Sequence, residues 1–85
     1  MTETLIEFPA DLAVKAMGLN TPEFEAAVSA LVTPHIEPAE FTITTLPSKE
    51  GKYLSVSVRF TATSLEQLQG VYAALKSEPK VLYTL

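Results

Sequence analysis

The chain contains no cysteine and only one histidine, His35. Without thiols it can form no disulfide bond, offer no thiolate to a metal ion and use no cysteine nucleophile. A transition-metal site needs several converging histidine, cysteine or carboxylate ligands, and a single histidine does not supply them. His35 follows a predicted helix, where a histidine more commonly interacts with the helix-terminal carbonyl groups. We therefore predict no metal site and no cofactor.

Positive charge and long apolar runs are also scarce. Six Lys and Arg against ten Asp and Glu give a net charge of -4, whereas a protein that binds nucleic acid must neutralise many phosphates. No stretch approaches the ~20 apolar residues that span a bilayer. The amino terminus, MTETLIEFPADLAVK, lacks the basic start and apolar run of a signal peptide. We expect a cytoplasmic protein with neither a nucleic acid nor a membrane as partner.

The length of the chain leaves few residues to spare from the core. A chain of 85 residues buries only about 60% of its unfolded surface, so it needs a single two-layer core. The composition, 47% hydrophobic and 19% charged, is that of a globular protein. We predict one domain over residues 1–85, with a short leader over residues 1–8 in which Phe8 can dock against the domain. A separate catalytic cavity has little room.

The clearest structural signal is an alternation of apolar and polar side chains over residues 53–63. Every second residue is apolar, at Leu54, Val56, Val58, Phe60 and Ala62. This pattern predicts a strand in a sheet that is covered on one face only. Ser64 and Gln67 follow directly and form a capping box, which begins a helix. Its buried stripe is predicted at Leu65, Leu68, Val71, Tyr72 and Leu75.

An earlier strand and helix are predicted in the amino-terminal half. Apolar side chains alternate over residues 12–17, so a first strand should end at Gly18, where the backbone must turn sharply. Asn20 or Thr21 can cap the helix that follows. The apolar stripe of that helix is predicted at Phe24, Val28, Leu31 and Val32. Pro34 should end it near Thr33, because proline lacks the backbone N–H that a helix interior uses.

The remaining strands complete a recognisable order of elements. Residues 41–45 alternate and are rich in β-branched side chains, which predicts a second strand; Pro47 near its end indicates an edge strand. A last strand is predicted over residues 81–85. The order β-α-β-β-α-β predicts an α+β ferredoxin-like sandwich, in which two helices cover one face of a four-stranded antiparallel sheet.

Right-handed crossovers place the first and third strands at the centre of this sheet and the other two at its edges. The face without helices should then carry the polar side of the central strands. Its predicted residues are Ala13, Lys15, Met17, Tyr53, Ser55, Ser57, Arg59 and Thr61.

The residues of the sheet do not support catalysis or RNA binding. Ser55 and Ser57 have no base that can be placed beside them to activate a nucleophile. The loop at residues 18–21 has no cation for the phosphate grip that acylphosphatase chemistry needs on this topology. RNA-recognition domains stack bases on aromatic side chains of the central strands, and Ser55 stands where a second ring would be required. We predict that the chain is not an enzyme and has no catalytic residues.

The last strand favours an interaction instead. Residues 80–85 are apolar on both sides of a predicted edge strand, and unpaired edges are templates for another strand. Self-association or a docked protein partner would cover this edge; Lys80, Pro79 and the short length of the strand would also protect it. The candidate partner surface is Lys15, Met17, Tyr53, Ser55, Ser57, Arg59, Val81 and Tyr83. The Gly18 loop could hold an anion at the helix amino terminus, or simply cap the helix.

Five segments resemble one known family. Residues 5–9 (LIEFP), 15–18 (KAMG) and 51–58 (GKYLSVSV), together with residues 62–67 and 72–75, look like the YbeD-like family of small bacterial proteins. The resemblance implies a ferredoxin-like domain of uncharacterised function in the bacterial cytoplasm. Such domains are similar in fold to ACT-type regulatory domains, which bind amino-acid effectors beside the first strand-to-helix loop. By that analogy an effector would contact Gly18, Leu19 and Asn20.

Two functions follow as expectations. The first is a non-enzymatic protein-interaction or regulatory module that uses the open sheet face or the last strand. The alternative is an ACT-like domain that binds a small effector.

Overall fold

The computed structural model describes residues 7–85. They form four strands and two helices in the predicted order. The elements are β1 Ala10–Leu19, α1 Pro22–Ile36, β2 Phe41–Pro47, β3 Tyr53–Ala62, α2 Leu65–Lys76 and β4 Val81–Thr84. Most of the predicted leader lies outside the described residues. Within them, Phe8 packs against the core.

The four strands make one antiparallel sheet in the order β2-β3-β1-β4, so the predicted central and edge strands are confirmed. β1 and β3 pair along their whole length, from Ala10 opposite Ala62 to Leu19 opposite Tyr53. On the edge strand β2, the N–H of Ser48 donates to Tyr53 O at 2.8 Å. The nitrogen of the neighbouring Pro47 therefore faces away from β3, where its missing donor costs nothing.

Both helices pack on one face of the sheet and enclose a single apolar core. The buried side chains are Val14, Ala16, Phe24, Val28, Val32, Ile36, Leu54, Val56, Val58, Phe60, Ala62, Leu68, Val71 and Leu75. All five apolar residues predicted on the covered face of β3 are among them. The other face of the sheet, which we call the open face, carries no layer of described residues. This arrangement confirms the ferredoxin-like fold class.

The buried stripe of α2 is narrower than predicted. Leu65 is 41% exposed, because it is the first residue of the helix and lies at the end of the helical layer. Tyr72 is half-buried, and its hydroxyl donates to Leu85 O at 3.0 Å. A buried phenol needs such a partner, so Tyr72 lies at the edge of the layer, beside β4, where a backbone carbonyl is within reach.

Side-chain oxygens begin both helices. Thr21 Oγ1 accepts from the N–H of Phe24 at 3.2 Å, so Thr21 rather than Asn20 caps α1. Ser64 Oγ accepts from the N–H of Gln67 at 3.1 Å at the start of α2, as the capping box predicts. Each contact satisfies one of the backbone donors that a helix leaves unpaired in its first turn.

The predicted end of α1 is wrong. The helix continues through Pro34 to Ile36, about one turn past Thr33. Proline removes one backbone hydrogen bond from a helix, but the extra turn buries Ile36, which is 2% exposed. Burial of an isoleucine contributes about 1.5–3 kcal/mol, and the N–H of Glu37 donates to Thr33 O at 2.9 Å. These gains offset the proline in the last turn.

Candidate functional site

A row of side chains crosses the open face from one edge of the sheet to the other. Leu46 of β2 lies opposite Ser55 of β3, Ser55 lies opposite Met17 of β1, and Met17 lies opposite Tyr83 of β4. Residues directly opposite on neighbouring strands have Cβ atoms about 4.5–5.5 Å apart. The row is therefore continuous, and it brings together three of the predicted partner-surface residues with Leu46.

Apolar side chains extend this row into a patch at one end of the sheet, which we call the apolar end. Its members are Met17, Leu19, Leu46, Tyr53, Leu82 and Tyr83. Leu46 is 71% exposed, Leu82 56% and Tyr83 53%. A shallow cleft of about 290 Å³ lies among Met17, Ser48, Tyr53, Leu82 and Tyr83. Exposed apolar side chains that adjoin one another in this way mark interaction sites more often than scattered ones.

The other end of the open face is polar. Ser57 lies opposite Thr44 on one side and Lys15 on the other. Further along, Arg59 Nη2 lies 3.3 Å from Asp11 Oδ2. Both side chains of this ion pair are more than 60% exposed, and an exposed pair contributes at most about 1 kcal/mol to stability. The pair orients Arg59 across β1 without fixing it.

Charge is divided between the two sides of the domain. Lys15 and Arg59 lie on the open face, Lys49 and Lys52 lie in the hairpin that joins β2 to β3, and Asp11 and Glu50 are the acids beside them. Lys52 Nζ lies 5.4 Å from the centre of the Tyr53 ring, a cation–π distance. The helices and the loops after them carry two lysines, Lys76 and Lys80, against six acids: Glu23, Glu25, Glu37, Glu40, Glu66 and Glu78. The open face is thus the cationic side of an acidic chain.

A β-bulge separates the two predicted contact residues of β4. Tyr83 pairs with Met17 and lies on the open face, whereas Val81 pairs with Gly18 after a shift in register. Val81 is half-buried and packs against the core on the helical side. The extra residue is Leu82. The structure therefore places Lys15, Met17, Tyr53, Ser55, Ser57, Arg59 and Tyr83 on the open face, and Val81 on the opposite face.

The loop proposed for an effector is occupied by its own chain. A Cβ added to Gly18 would lie 2.5 Å from the Lys80 carbonyl oxygen and 2.6 Å from the Phe24 ring. The Asn20 amide donates to Gly51 O at 3.0 Å, and its backbone N–H donates to Lys52 O at 2.9 Å. Asn20 thus ties the β2–β3 hairpin to the end of β1.

An apolar cleft of about 330 Å³ remains next to this loop. It is lined by Leu19, Thr21, Phe24, Pro79, Lys80 and Leu82. Leu19, which is 50% exposed, is the member of the predicted effector loop that faces it. Leu82 also borders the cleft of the open face, so the two clefts flank the bulge of β4.

Two further features of residues 7–85 bear on the kind of site. No three His, Cys, Asp or Glu side chains in this range lie close enough to hold a metal ion together. Neither of the two described helices, 15 and 12 residues long, has the length and hydropathy to cross a membrane.

Sequence reasoning missed several members of the apolar end. Leu46 and Leu82 are not among the predicted contact residues, and Leu19 is predicted only for the effector loop. The alternation of β2 predicts the position of Leu46, because Leu46 follows Thr42 and Thr44 at every second residue and shares their open face. Leu82 carries none, since its place depends on the bulge.

The fold and the exposed face define a small ferredoxin-like α+β domain with an uncovered sheet. Comparison with known proteins also identifies its family. Residues 3–85 match the model of a family described as protein of unknown function, DUF493. The chain therefore belongs to this family, and the predicted YbeD-like resemblance is confirmed.

Curated relatives match nearly the whole chain. A UPF0250 protein of Janthinobacterium sp. (strain Marseille) is 45% identical over 85 residues, which are 99% of this chain and 93% of the relative. Relatives from Bordetella pertussis and Neisseria gonorrhoeae are each 40% identical and cover 98% and 96% of this chain, and 92% and 91% of their own. The solution structure of HP0495 from H. pylori superposes with a TM-score of 0.79 at 17% identity, over 98% of this chain and 88% of its own. That likeness shows the fold.

Proposed function

We propose that this chain is a non-enzymatic protein-interaction module of the bacterial cytoplasm, and that a partner protein docks on the apolar end of its open face. The observation that carries the proposal is the continuous row from Leu46 through Ser55 and Met17 to Tyr83. Four strands each contribute one side chain to it, and Tyr53 and Leu82 widen it. Aromatic and methionine side chains are enriched at the centres of protein interfaces.

The charges around this patch indicate the chemistry of the partner. Lys15 lies in the next row of the sheet, and Lys52 lies against the Tyr53 ring. A partner surface that places apolar side chains on the patch and carboxylates around it would be complementary in potential. The helical side of this chain carries most of its acids, so the same partner would be repelled from that side. The open face is therefore the side that an acidic partner would meet.

Within residues 7–85, no histidine lies beside the hydroxyls at the centre of the open face, and this supports a non-enzymatic role. Thr44, Ser55 and Ser57 are neighbours in adjacent strands. His35, the one histidine of the sequence, lies in the last turn of α1, and its ring contacts Gly70. A hydroxyl nucleophile needs a base within hydrogen-bond reach. The hydroxyls are better suited to hydrogen bonds at the polar rim of an interface.

The alternative function, an ACT-like response to an amino-acid effector, has weaker support. The amide of Asn20 already donates to Gly51 O, and Gly18 is packed against Phe24. The remaining cleft beside Leu19 has few polar groups with which to recognise an amino acid. A thermal-shift screen against amino acids tests this alternative, since a ligand at 100 times its dissociation constant stabilises a protein by ~2.7 kcal/mol. A flat screen would remove the alternative.

Affinity purification with a matched control tests the interaction. The bait carries a tag at its amino terminus, and the variant Tyr53→Ser/Tyr83→Ser removes two exposed rings from the apolar end. Leu65→Ser is the control, because Leu65 is 41% exposed and Tyr53 is 37% exposed, but Leu65 lies on α2. Captured proteins are then purified and titrated against each variant.

We expect at least one purified partner to lose about tenfold or more in affinity with the double variant, since buried aromatic anchors dominate interface energetics. The control should bind as the wild type does. If every partner binds the double variant as tightly as the wild type, the proposed surface is wrong.

A further inference from the structure

β1 is much longer than the edge strand that covers it. β1 has ten residues and β4 has four. β3 pairs with β1 along all ten residues, whereas β4 reaches only from Gly18 to Ala16, with a last pair of hydrogen bonds between Lys15 and Leu85. The first half of β1, from Ala10 to Val14, has a neighbouring strand on one side and none on the other within residues 7–85.

The backbone groups on this uncovered side can be identified from the period of the strand. Lys15 N–H donates to Leu85 O at 3.1 Å, and Leu85 N–H donates to Lys15 O at 2.8 Å. In an antiparallel strand, alternate residues direct their N–H and C=O groups to the same side. Ala13 and Asp11 therefore face the same side as Lys15. Both residues are exposed, and no strand of the described chain pairs with them on that side.

We infer that a second copy of this chain pairs with this half of β1, antiparallel and about a twofold axis at Leu12. In this register Ala13 of each copy lies opposite Asp11 of the other. The N–H and C=O groups of Ala13 and Asp11 point away from β3 in both copies. Each of the two Ala13–Asp11 pairs therefore exchanges two hydrogen bonds, which makes four in total. The same segment serves both copies, as a twofold interface requires. The result is one continuous sheet of eight strands.

Side chains on the open face are complementary in this arrangement. Arg59 pairs with Ala13 across β1 and β3, and its guanidinium already lies 3.3 Å from Asp11. The second copy brings its own Asp11 opposite Ala13. The small alanine leaves the guanidinium room to extend over it toward that carboxylate. Arg59 of each copy then lies between its own Asp11 and the Asp11 of the other copy, so each charged side chain has neighbours of opposite charge.

The covered side of β1 also gains from the pairing. Leu12 is half-buried and packs against the apolar core, on the part of β1 that β4 does not reach. The axis places Leu12 of one copy against Leu12 of the other, so both lose exposure. With the axis at Leu12, Pro9 of the second copy comes level with Lys15, where Leu85 is already hydrogen-bonded. The chain bends at Phe8 and Pro9, so the second copy turns away from the sheet before it reaches Leu85.

The interface is small, and this sets its strength. Two short strands bury far less than the ~1,200–2,000 Å² of a stable protein complex. We therefore expect a weak dimer with a dissociation constant of about 0.1–1 mM. Analytical ultracentrifugation and amide chemical shifts, recorded between about 20 µM and about 1 mM chain, cover this range. The shifts that change with concentration should cluster at residues 10–14.

Two variants test the geometry. Ala13→Pro removes one outward N–H, whereas β3 is bonded through the residues on either side, so the monomer keeps its fold and the association is lost. Asp11→Lys brings like charges together and should weaken association about fivefold or more. Asp11→Lys/Arg59→Glu exchanges the charges and should restore it. Circular dichroism checks that each variant is folded.

The outcomes separate this inference from the proposed partner surface. Tyr53→Ser/Tyr83→Ser should dimerise as the wild type does, because both residues lie at the other end of the sheet. A monomer at the highest concentration overturns the inference. So does a dimer that is unaffected by a folded Ala13→Pro variant, or a charge exchange that fails to restore what Asp11→Lys removes.

Discussion

The Phe24 ring lies against the backbone of Gly18, so closely that a Cβ on Gly18 would be 2.6 Å from the ring atom Cε1. The carbonyl oxygen of Lys80 also packs against Gly18 and would lie 2.5 Å from the same added Cβ. Phe24 is 1% exposed and is one of the largest buried side chains. The end of β1, the first turn of α1 and the start of β4 therefore meet at a position that only glycine fits.

Gly18→Ala should destabilise the domain by about 2–3 kcal/mol. Neither neighbour can give way easily, because one is a backbone carbonyl and the other is a ring packed in the core, and overpacking of this kind typically costs 1–3 kcal/mol. Urea unfolding followed by circular dichroism measures the change. A loss below about 0.5 kcal/mol would mean that the close approach is not rigid.

Gly70→Ala should have the opposite sign. Gly70 lies inside α2, where glycine is about 1 kcal/mol less favourable than alanine. The nearest atom to an added Cβ is Nδ1 of His35 at 3.0 Å, but this ring is at an exposed residue and can move aside. We expect a gain of up to about 1 kcal/mol in the free energy of unfolding. If His35→Ala is combined with Gly70→Ala, the gain should not shrink.

Gln67 connects the start of α2 to the end of α1. Its Oε1 accepts from the N–H of Thr63 at 2.8 Å, and its Nε2 donates to His35 O at 3.0 Å. Gln67→Met keeps the length of the side chain and loses both contacts, which should cost about 1 kcal/mol. Gln69→Met is the control, since Gln69 is an exposed residue of the same helix with no side-chain hydrogen bond to the described residues. Equal losses in the two variants would refute the role given to Gln67.

The bulge in β4 predicts which of two neighbouring residues supports the core. Val81 packs against the core, whereas Leu82 is 56% exposed. Val81→Ser should therefore cost about 1 kcal/mol, and Leu82→Ser less than about 0.5 kcal/mol. Thr84 lies opposite Ala16 on the covered face, so a regular strand would turn Leu82 inward and Val81 outward. The reverse order of the two losses would therefore be the signature of a strand without the bulge.

Periodicity predicted most of the fold. Alternation over residues 53–63 identified β3 and its covered face, and the capping box at Ser64 identified the start of α2. The order of elements then gave the strand order and the open face. These features depend on local patterns and general rules of connection, so they can be read without coordinates.

Contacts between residues that are distant in the sequence determine the features that the local patterns did not predict. Local chemistry alone ends α1 before Pro34, yet burial of Ile36 extends it. The bulge beside Met17 moved Val81 off the predicted surface. The bulge adjoins the position where Lys80 and Phe24 pack closely on Gly18. No pattern within β4 records such a contact, because Gly18 and Phe24 lie more than fifty residues away in the chain.

The short reach of β4 has a practical consequence for anyone who handles the protein. Leu85 is hydrogen-bonded to Lys15, and the next positions in line run beside Ala13 and Asp11. Residues fused after Leu85 could continue β4 along β1 and complete the sheet themselves. A carboxy-terminal purification tag would then act as an intramolecular competitor for the uncovered edge. A tag placed before residue 1 instead, with nothing fused after Leu85, avoids mistaking that artefact for a monomer.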